Sequence, residues 1–171
     1  KADRDGPRQL AGAMPTKEGA HDGRILATTT EMEYRKVGTT TWKDCPDKEV
    51  TGLSPGDYEV RYKDTKSYNR SIAIIYTVPI WGPKTWITWI ENGTPDGIQL
   101  PKNATITITA NPPEKGKEFD KWVPNASSNV KFEDEKSEVT KMTVLGGNVT
   151  VRATYKDKET PGVPKYDLYV I

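Results

Sequence analysis

The residues whose side chains could do catalytic chemistry are few and stand apart. His21 is the only histidine and Cys45 the only cysteine among the 171 residues. Nucleophilic catalysis needs a Ser, Cys or Lys side chain that a base within hydrogen-bond reach activates. His21 lies in a turn with glycines nearby, without a Ser or Cys motif around it, and Cys45 stands next to a proline. We therefore interpret His21 as a turn residue and Cys45 as a small semi-buried hydrophobe.

Carboxylates are abundant, but their pattern is that of a solvated surface. The chain has 24 Asp and Glu residues, which occur in charge-alternating segments or in the loop Glu133–Lys136. Paired-carboxylate hydrolysis needs two acids held across a cleft, and nothing in this spacing indicates one. Neither a phosphate-binding glycine loop nor a zinc-ligand spacing is present. We predict a protein that is not an enzyme and that carries no cofactor and no metal.

Aromatic side chains supply the one binding hypothesis. Trp81, Trp86 and Trp89 are close together in the sequence, and Tyr76 comes just before them. In a strand, Trp86 and Trp89 point to opposite faces, so at least one indole should leave the core. Such an indole would more often seal the interface between two repeats, but it could also stack on a sugar ring. These four residues are the candidate ligand-binding residues.

Composition favours an all-β protein. The 14 glycines, the 13 prolines and many threonines are typical of short strands and turns, and helical periodicity is nearly absent. The net charge of +1 gives no global basic field for nucleic acid, and no apolar run is long enough to insert in a membrane. The N-terminus lacks the apolar stretch of a signal peptide, so we expect either a cytosolic protein or an internal piece of a longer one.

Turn signals divide the chain into two modules in tandem. Seven short strands predict a β-sandwich over residues 1–79, in which Tyr58, Val60 and Tyr62 share one face. Prolines and a glycine predict a linker at 80–84, and a second module follows at 85–158. In that module, isoleucine alternates with threonine over Ala104–Thr109, as in a half-buried strand. A short helix across from the sheet could lie within Asn111–Trp122, which would make this module α+β.

The last residues, 159–171, have two interpretations. Tyr166–Ile171 follows a Pro/Gly linker, as Trp86–Ile90 does. We expect a linker and the first strand of a further repeat, so that the chain would be one part of a tandem array of repeats. The alternative is a final strand that completes the sheet of the second module.

The first half resembles the Ig-like or fibronectin-like repeats of Gram-positive cell-surface proteins. That family has a DGKI-like turn, a TTxxMEY strand, a TW strand and a TGLxxGxYxVR hairpin. The matching segments here are Asp22–Ile25, Thr28–Tyr34, Thr41–Cys45 and Thr51–Tyr62. The resemblance implies a β-sandwich without a shared catalytic residue.

The second half resembles the divergent B-repeat of internalin-like bacterial surface proteins. The matching segments are Glu91–Thr94, Ala104–Ala110, Gly116–Trp122 and Gly147–Tyr155, although Leu145-Gly146 stands where the family usually has Met-Pro. This resemblance implies a small β-grasp-like fold.

Both resemblances imply a secreted, wall-associated repeat protein of a Gram-positive bacterium. We predict a non-catalytic stalk or spacer segment whose partners are the neighbouring repeats of the same chain. Two alternatives remain open. The segment could be an adhesin module that contacts a host glycan or matrix protein, or an accessory region of a larger secreted glycan-active enzyme. Neither nucleic acid nor membrane insertion is expected.

Overall fold

The computed structural model describes residues 1–159, and this part of the chain is built almost entirely from β-strands. It contains no α-helix, and one 3-10 turn lies at Ser127–Asn129. The strands are β1 (Ala11–Ala13), β2 (Gly23–Thr28), β3 (Met32–Lys36), β4 (Lys43–Asp44), β5 (Lys48–Leu53), β6 (Gly56–Tyr62), β7 (Ile74–Val78), β8 (Thr85–Glu91), β9 (Gly93–Thr94), β10 (Gly97–Pro101), β11 (Thr105–Ala110), β12 (Lys117–Pro124), β13 (Val130–Phe132), β14 (Val139–Val144) and β15 (Val149–Asp157). The all-β prediction is confirmed.

Strands β1 to β7 form the first module, a sandwich of two antiparallel sheets. One sheet has the order β1-β2-β5, and the other has the order β4-β3-β6-β7. Their inner faces enclose a cluster of buried residues that runs from Leu10 to Val78. Strict alternation in β6 places Tyr58 and Val60 in this cluster and packs Tyr62 against it, as the sequence pattern predicts.

Two close contacts fix the geometry of this sandwich. The Tyr58 hydroxyl donates a hydrogen bond to the backbone oxygen of Ser54, 2.7 Å away, and so ties the start of β6 to the turn before it. Strand β1 approaches β7 so closely that a Cβ on Gly12 would lie 1.7 Å from the backbone oxygen of Thr77. Glycine at position 12 therefore allows β1 to lie against β7.

Strands β8 to β15 form the second module, which also has two sheets. The first has the order β10-β8-β15-β12, with β8 and β15 parallel at its centre. The second has the order β13-β14-β11-β9 and is antiparallel. A second buried cluster lies between these sheets, from Ile90 to Ala153, and Trp122 is its largest side chain. The Trp122 indole donates a hydrogen bond to the backbone oxygen of Ser137, 2.9 Å away.

Several sequence expectations differ from the structure. The helix considered within Asn111–Trp122 is absent, because the segment continues into strand β12, whose Phe119 and Trp122 are buried in the core. The segment Thr41–Cys45, which resembles the family's TW strand, forms a strand only at the two residues of β4. Both interpretations of Tyr166–Ile171 lie outside the described residues. Over residues 1–159, we find no helix with the length and apolar character to span a membrane.

Candidate functional site at the junction of the two modules

The two modules meet where strand β7 of the first lies beside strand β11 of the second. Within its own sheet, β7 pairs only with β6 and is therefore an edge strand. Strand β11 is covered by β9 only at Thr109 and Ala110, so its first half is also an edge. Uncovered edges expose unpaired backbone groups, and here each module covers part of the other's edge.

A ring of three hydrogen bonds joins Asp57, Thr77 and Thr107 across this junction. The backbone N–H of Thr107 donates to Thr77 Oγ1 at 2.8 Å, and the Thr77 hydroxyl donates to Asp57 Oδ1. The Thr107 hydroxyl donates to Asp57 Oδ2 at 2.9 Å and closes the ring. Asp57 and Thr77 are directly opposite each other in the β6–β7 pair, which aims both side chains at Thr107.

Burial makes this ring energetically significant. Thr77 is 7% exposed and Thr107 is 4% exposed. Hydrogen bonds to a charged group contribute about 1.5–3 kcal/mol each, and a buried donor or acceptor left without a partner costs about 1–3 kcal/mol. If the modules separated fully, water could hydrogen-bond to both threonines. If the modules only tilted relative to each other, some donors and acceptors of the ring would stay buried without a partner. The ring therefore favours one relative orientation.

Two further contacts flank the ring. The Arg8 guanidinium donates to the backbone oxygen of Ala110 in the second module at 3.2 Å. In the linker, Gly82 packs so tightly that an added Cβ would lie 2.2 Å from Pro101 Cβ. Pro79 is buried as well. The junction thus has contacts from the N-terminal segment, from the edge strands and from the linker.

A groove of about 390 Å³ runs beside the ring. Val37 and Ile80, each 46% exposed, lie on its wall together with the side chains of Lys36 and Lys141. Lys36 is occupied by a hydrogen bond from its ammonium group to Ser54 Oγ at 3.1 Å.

Tyr76 is placed in the core of the first module. Its side chain is 0% exposed, and its hydroxyl donates to the backbone oxygen of Pro7 at 2.7 Å. The Tyr76 hydroxyl oxygen also accepts a hydrogen bond from the backbone N–H of Leu10 at 3.4 Å. Burial raises the pKa of the Tyr76 phenol. Tyr76 therefore anchors the N-terminal segment, and a ligand at the surface cannot reach its ring.

The three tryptophans have different environments. Trp86 packs against the core of the second module, and the Lys84 ammonium lies 5.3 Å from its ring centroid. Trp81 is half-buried in the linker. Trp89 is 46% exposed on the outer face of its sheet, so Trp86 and Trp89 do point to opposite faces. Among residues 1–159, no ring contact joins any two of these tryptophans or Tyr76. Their proximity in sequence therefore does not create an aromatic cluster.

The residues that carry the junction were not predicted from the sequence. Thr107 occupies a position that alternation assigns to solvent, and Thr77 interrupts an apolar run. The only available signal was that a lone threonine within Ile74–Val78 should be buried with a partner. Nothing in the sequence indicates that the partner lies 30 residues away in another module.

The candidate chemical residues are also separated. Cys45 is 3% exposed, and burial raises its thiol pKa to about 12. His21 is exposed on the surface. In the part of the chain that the structure describes, no group of three or more His, Cys, Asp or Glu side chains is arranged to hold a metal ion.

Comparison with known proteins gives one match. Searches of curated proteins and of solved structures found no significant match. Residues 87–159 match the family model described as "Divergent InlB B-repeat domain", and this range begins within β8 and ends two residues after β15. The second module is thus similar to a repeat of bacterial surface proteins, in agreement with the resemblance seen in its sequence, and this similarity supports a place for the protein at the bacterial surface.

Proposed function

We propose that the described residues form a rigid, non-catalytic spacer unit of a secreted, wall-associated protein of a Gram-positive bacterium. The observation that carries the proposal is the ring of Asp57, Thr77 and Thr107, which joins the two modules by side-chain hydrogen bonds at a buried edge-to-edge contact. A spacer gains reach only if successive modules do not fold back on one another. A fixed junction supplies that stiffness, and the tightly packed linker supports it.

Two features support an Ig-like or fibronectin-like first module. Its seven strands divide into sheets of three and four. The bond from the Tyr58 hydroxyl to the Ser54 backbone resembles the tyrosine corner of such sandwiches, where a tyrosine near the start of a late strand bonds backward to the turn. In the second module, the central parallel pair of β8 and β15 supports the β-grasp-like relationship, with a β-sheet in place of the helix.

Distance measurements between the modules test the proposal. Spin labels at the exposed positions Lys66 and Lys136, introduced as Lys66→Cys and Lys136→Cys, report on the first and second module respectively. Cys45 is buried and should stay unlabelled. We expect a single narrow distance distribution in the otherwise native protein, because the ring restricts the junction. In the Asp57→Ala/Thr107→Val variant, the distribution should broaden.

The control is Thr105→Val, the same substitution in the same strand. The Thr105 hydroxyl forms a hydrogen bond with the Thr143 hydroxyl at 2.7 Å within the second module. Losing this bond should therefore leave the distance distribution between the spin labels narrow. A broad distribution in the native protein would contradict a rigid spacer. Broadening by Thr105→Val alone would show that damage within the second module, rather than the ring, changes the junction.

A further inference from the structure

A polar groove lies around Asn92, Asp96 and Asn111, at one end of the second module. One cavity of about 470 Å³ there is lined by Trp89, Asn92, Asp96 and Asn111. A neighbouring cavity of about 550 Å³ shares Asp96 and Asn111 and continues to Arg8 and Gln9 of the first module. Volumes of 300–1,000 Å³ are typical of small-ligand sites. We call the two cavities together the Trp89 groove.

The Trp89 groove offers an aromatic face beside free hydrogen-bonding groups. Trp89 is 46% exposed, and its cross-strand neighbour Gly97 has no side chain to cover it. Within residues 1–159, the Asp96 carboxylate and the Asn111 side-chain amide have no hydrogen-bond partner. Asn111 provides two N–H donors and an acceptor, and Asp96 provides acceptors only.

Backbone hydrogen bonds hold the main chain that carries these side chains in place before any ligand binds. The backbone oxygen of Asp96 accepts the N–H of Ile90 at 2.9 Å, and the N–H of Asn111 donates to the backbone oxygen of Asn92 at 2.8 Å. The Tyr155 hydroxyl donates to the backbone oxygen of Asn111 at 2.7 Å. A main chain that is fixed in this way need not be ordered when a ligand binds, which favours affinity.

The charges of the groove select against anionic ligands. Glu91 on the groove wall is paired with Arg152 at 2.6 Å, and Arg8 is paired with Asp5. Both cations are therefore neutralised by neighbours. The Asp96 carboxylate has no such cation and leaves a local negative charge that repels sulfate and carboxylate groups.

We infer that the Trp89 groove is a binding site for a neutral oligosaccharide, a ligand beyond the proposed spacer role. A pyranose ring has an apolar C–H face that suits the negative face of an indole, and its rim of hydroxyls both donates and accepts. Trp89 stacks on one sugar unit. Asp96 accepts hydrogen bonds from its hydroxyls, Asn111 donates to and accepts from them, and the groove continues toward Gln9 for a second unit.

The test is an NMR titration of the protein with defined saccharides. Chitohexaose presents the N-acetylglucosamine of cell-wall glycan strands, and a neutral galactose-terminated biantennary glycan presents a host-type source. Heparin is the anionic arm. We expect at least one neutral probe to shift the Trp89 indole N–H and the backbone resonances of Asp96 and Asn111, while heparin does not. The neutral probe that binds tells which source fits.

Variants distinguish the groove from non-specific contact. Trp89→Ala should weaken binding of that probe at least tenfold, and Asp96→Ala should weaken it several-fold. Both residues lie at the surface rather than in the buried core, so both variants should keep the native fold, which their NMR spectra report. Val139→Ala, at an exposed site of the same module, is the control and should bind normally. The inference is overturned if no neutral probe shifts these resonances at millimolar concentration, if heparin binds instead, or if Trp89→Ala binds like the native protein.

Discussion

The backbone N–H of Thr107 donates a hydrogen bond to the side-chain oxygen of Thr77, 2.8 Å away across the junction of the two modules. The donor belongs to the part of β11 that β9 leaves unpaired, and the acceptor belongs to the edge strand β7 of the other module. The Thr77 side chain thus takes the place of a neighbouring strand as the hydrogen-bond partner of the Thr107 N–H. The modules contact each other edge to edge without merging their sheets.

The first prediction concerns the energetic coupling of these two threonines. Thr77→Val removes the acceptor of the Thr107 N–H and the donor to Asp57, whereas Thr107→Val removes the second donor to Asp57. Because both residues belong to one network, the double variant should be less destabilised than the sum of the single variants, by about 1 kcal/mol. Urea unfolding of the four proteins measures this coupling. Strict additivity would show that the two residues act independently.

The second prediction concerns the Tyr58 hydroxyl. Tyr58→Phe removes its bond to the backbone oxygen of Ser54 and should lower the free energy of unfolding by about 1 kcal/mol. Tyr68→Phe is the matched control, because the Tyr68 side chain is 40% exposed. Equal stability losses in the two variants would contradict a specific role for the Tyr58 bond.

The third prediction concerns Gly12. Gly12→Ala would place a Cβ 1.7 Å from the Thr77 backbone oxygen, so β1 must move away from β7. We expect a loss of about 3 kcal/mol or more, with Arg8 also pulled from Ala110. Gly97→Ala is the control, since its Cβ would lie 3.6 Å from Trp89 in ordinary contact. Thermal unfolding compares the two, and similar melting temperatures would refute the close approach.

The fourth prediction concerns the reactivity of Cys45. Burial raises its thiol pKa to about 12, so the folded protein should hold a neutral thiol at pH 8. Ellman's reagent should react with Cys45 only after unfolding in urea. Rapid reaction with the native protein would show that the site opens readily.

The fifth prediction follows from the same pKa shift. Between the ordinary thiol pKa of 9.0 and the folded value of about 12, the unfolded chain has lost this proton but the folded chain keeps it. Stability must therefore fall as the pH rises above about 9. Burial also raises the pKa of Tyr34 and acts in the same direction. Denaturant unfolding at pH 8 to 10.5 should show this fall, and a shallower one for Cys45→Ala. If the free energy of unfolding fell equally steeply with pH in the native protein and in Cys45→Ala, Cys45 would not contribute to the pH dependence.

Local patterns predicted much of the strand structure. Strict alternation placed Tyr58 and Val60 in the core from β6, and the alternation over Ala104–Thr109 became β11. These predictions succeed because the side-chain period of a strand is fixed by the backbone. The strand β10 was not predicted, because its five residues follow a turn-rich segment and gain their order from pairing with β8.

The sequence by itself determined the strand periodicity and the resemblance of the second module to surface repeats. It could not determine which polar side chains become buried. Alternation assigns Thr107 and Thr109 to solvent, yet they are 4% and 8% exposed. Tyr76 belongs to the core, whereas Trp89 remains outside. Docking of one module on the other buries Thr107, and packing within the first module buries Tyr76. Burial depends on contacts between residues that no local pattern relates.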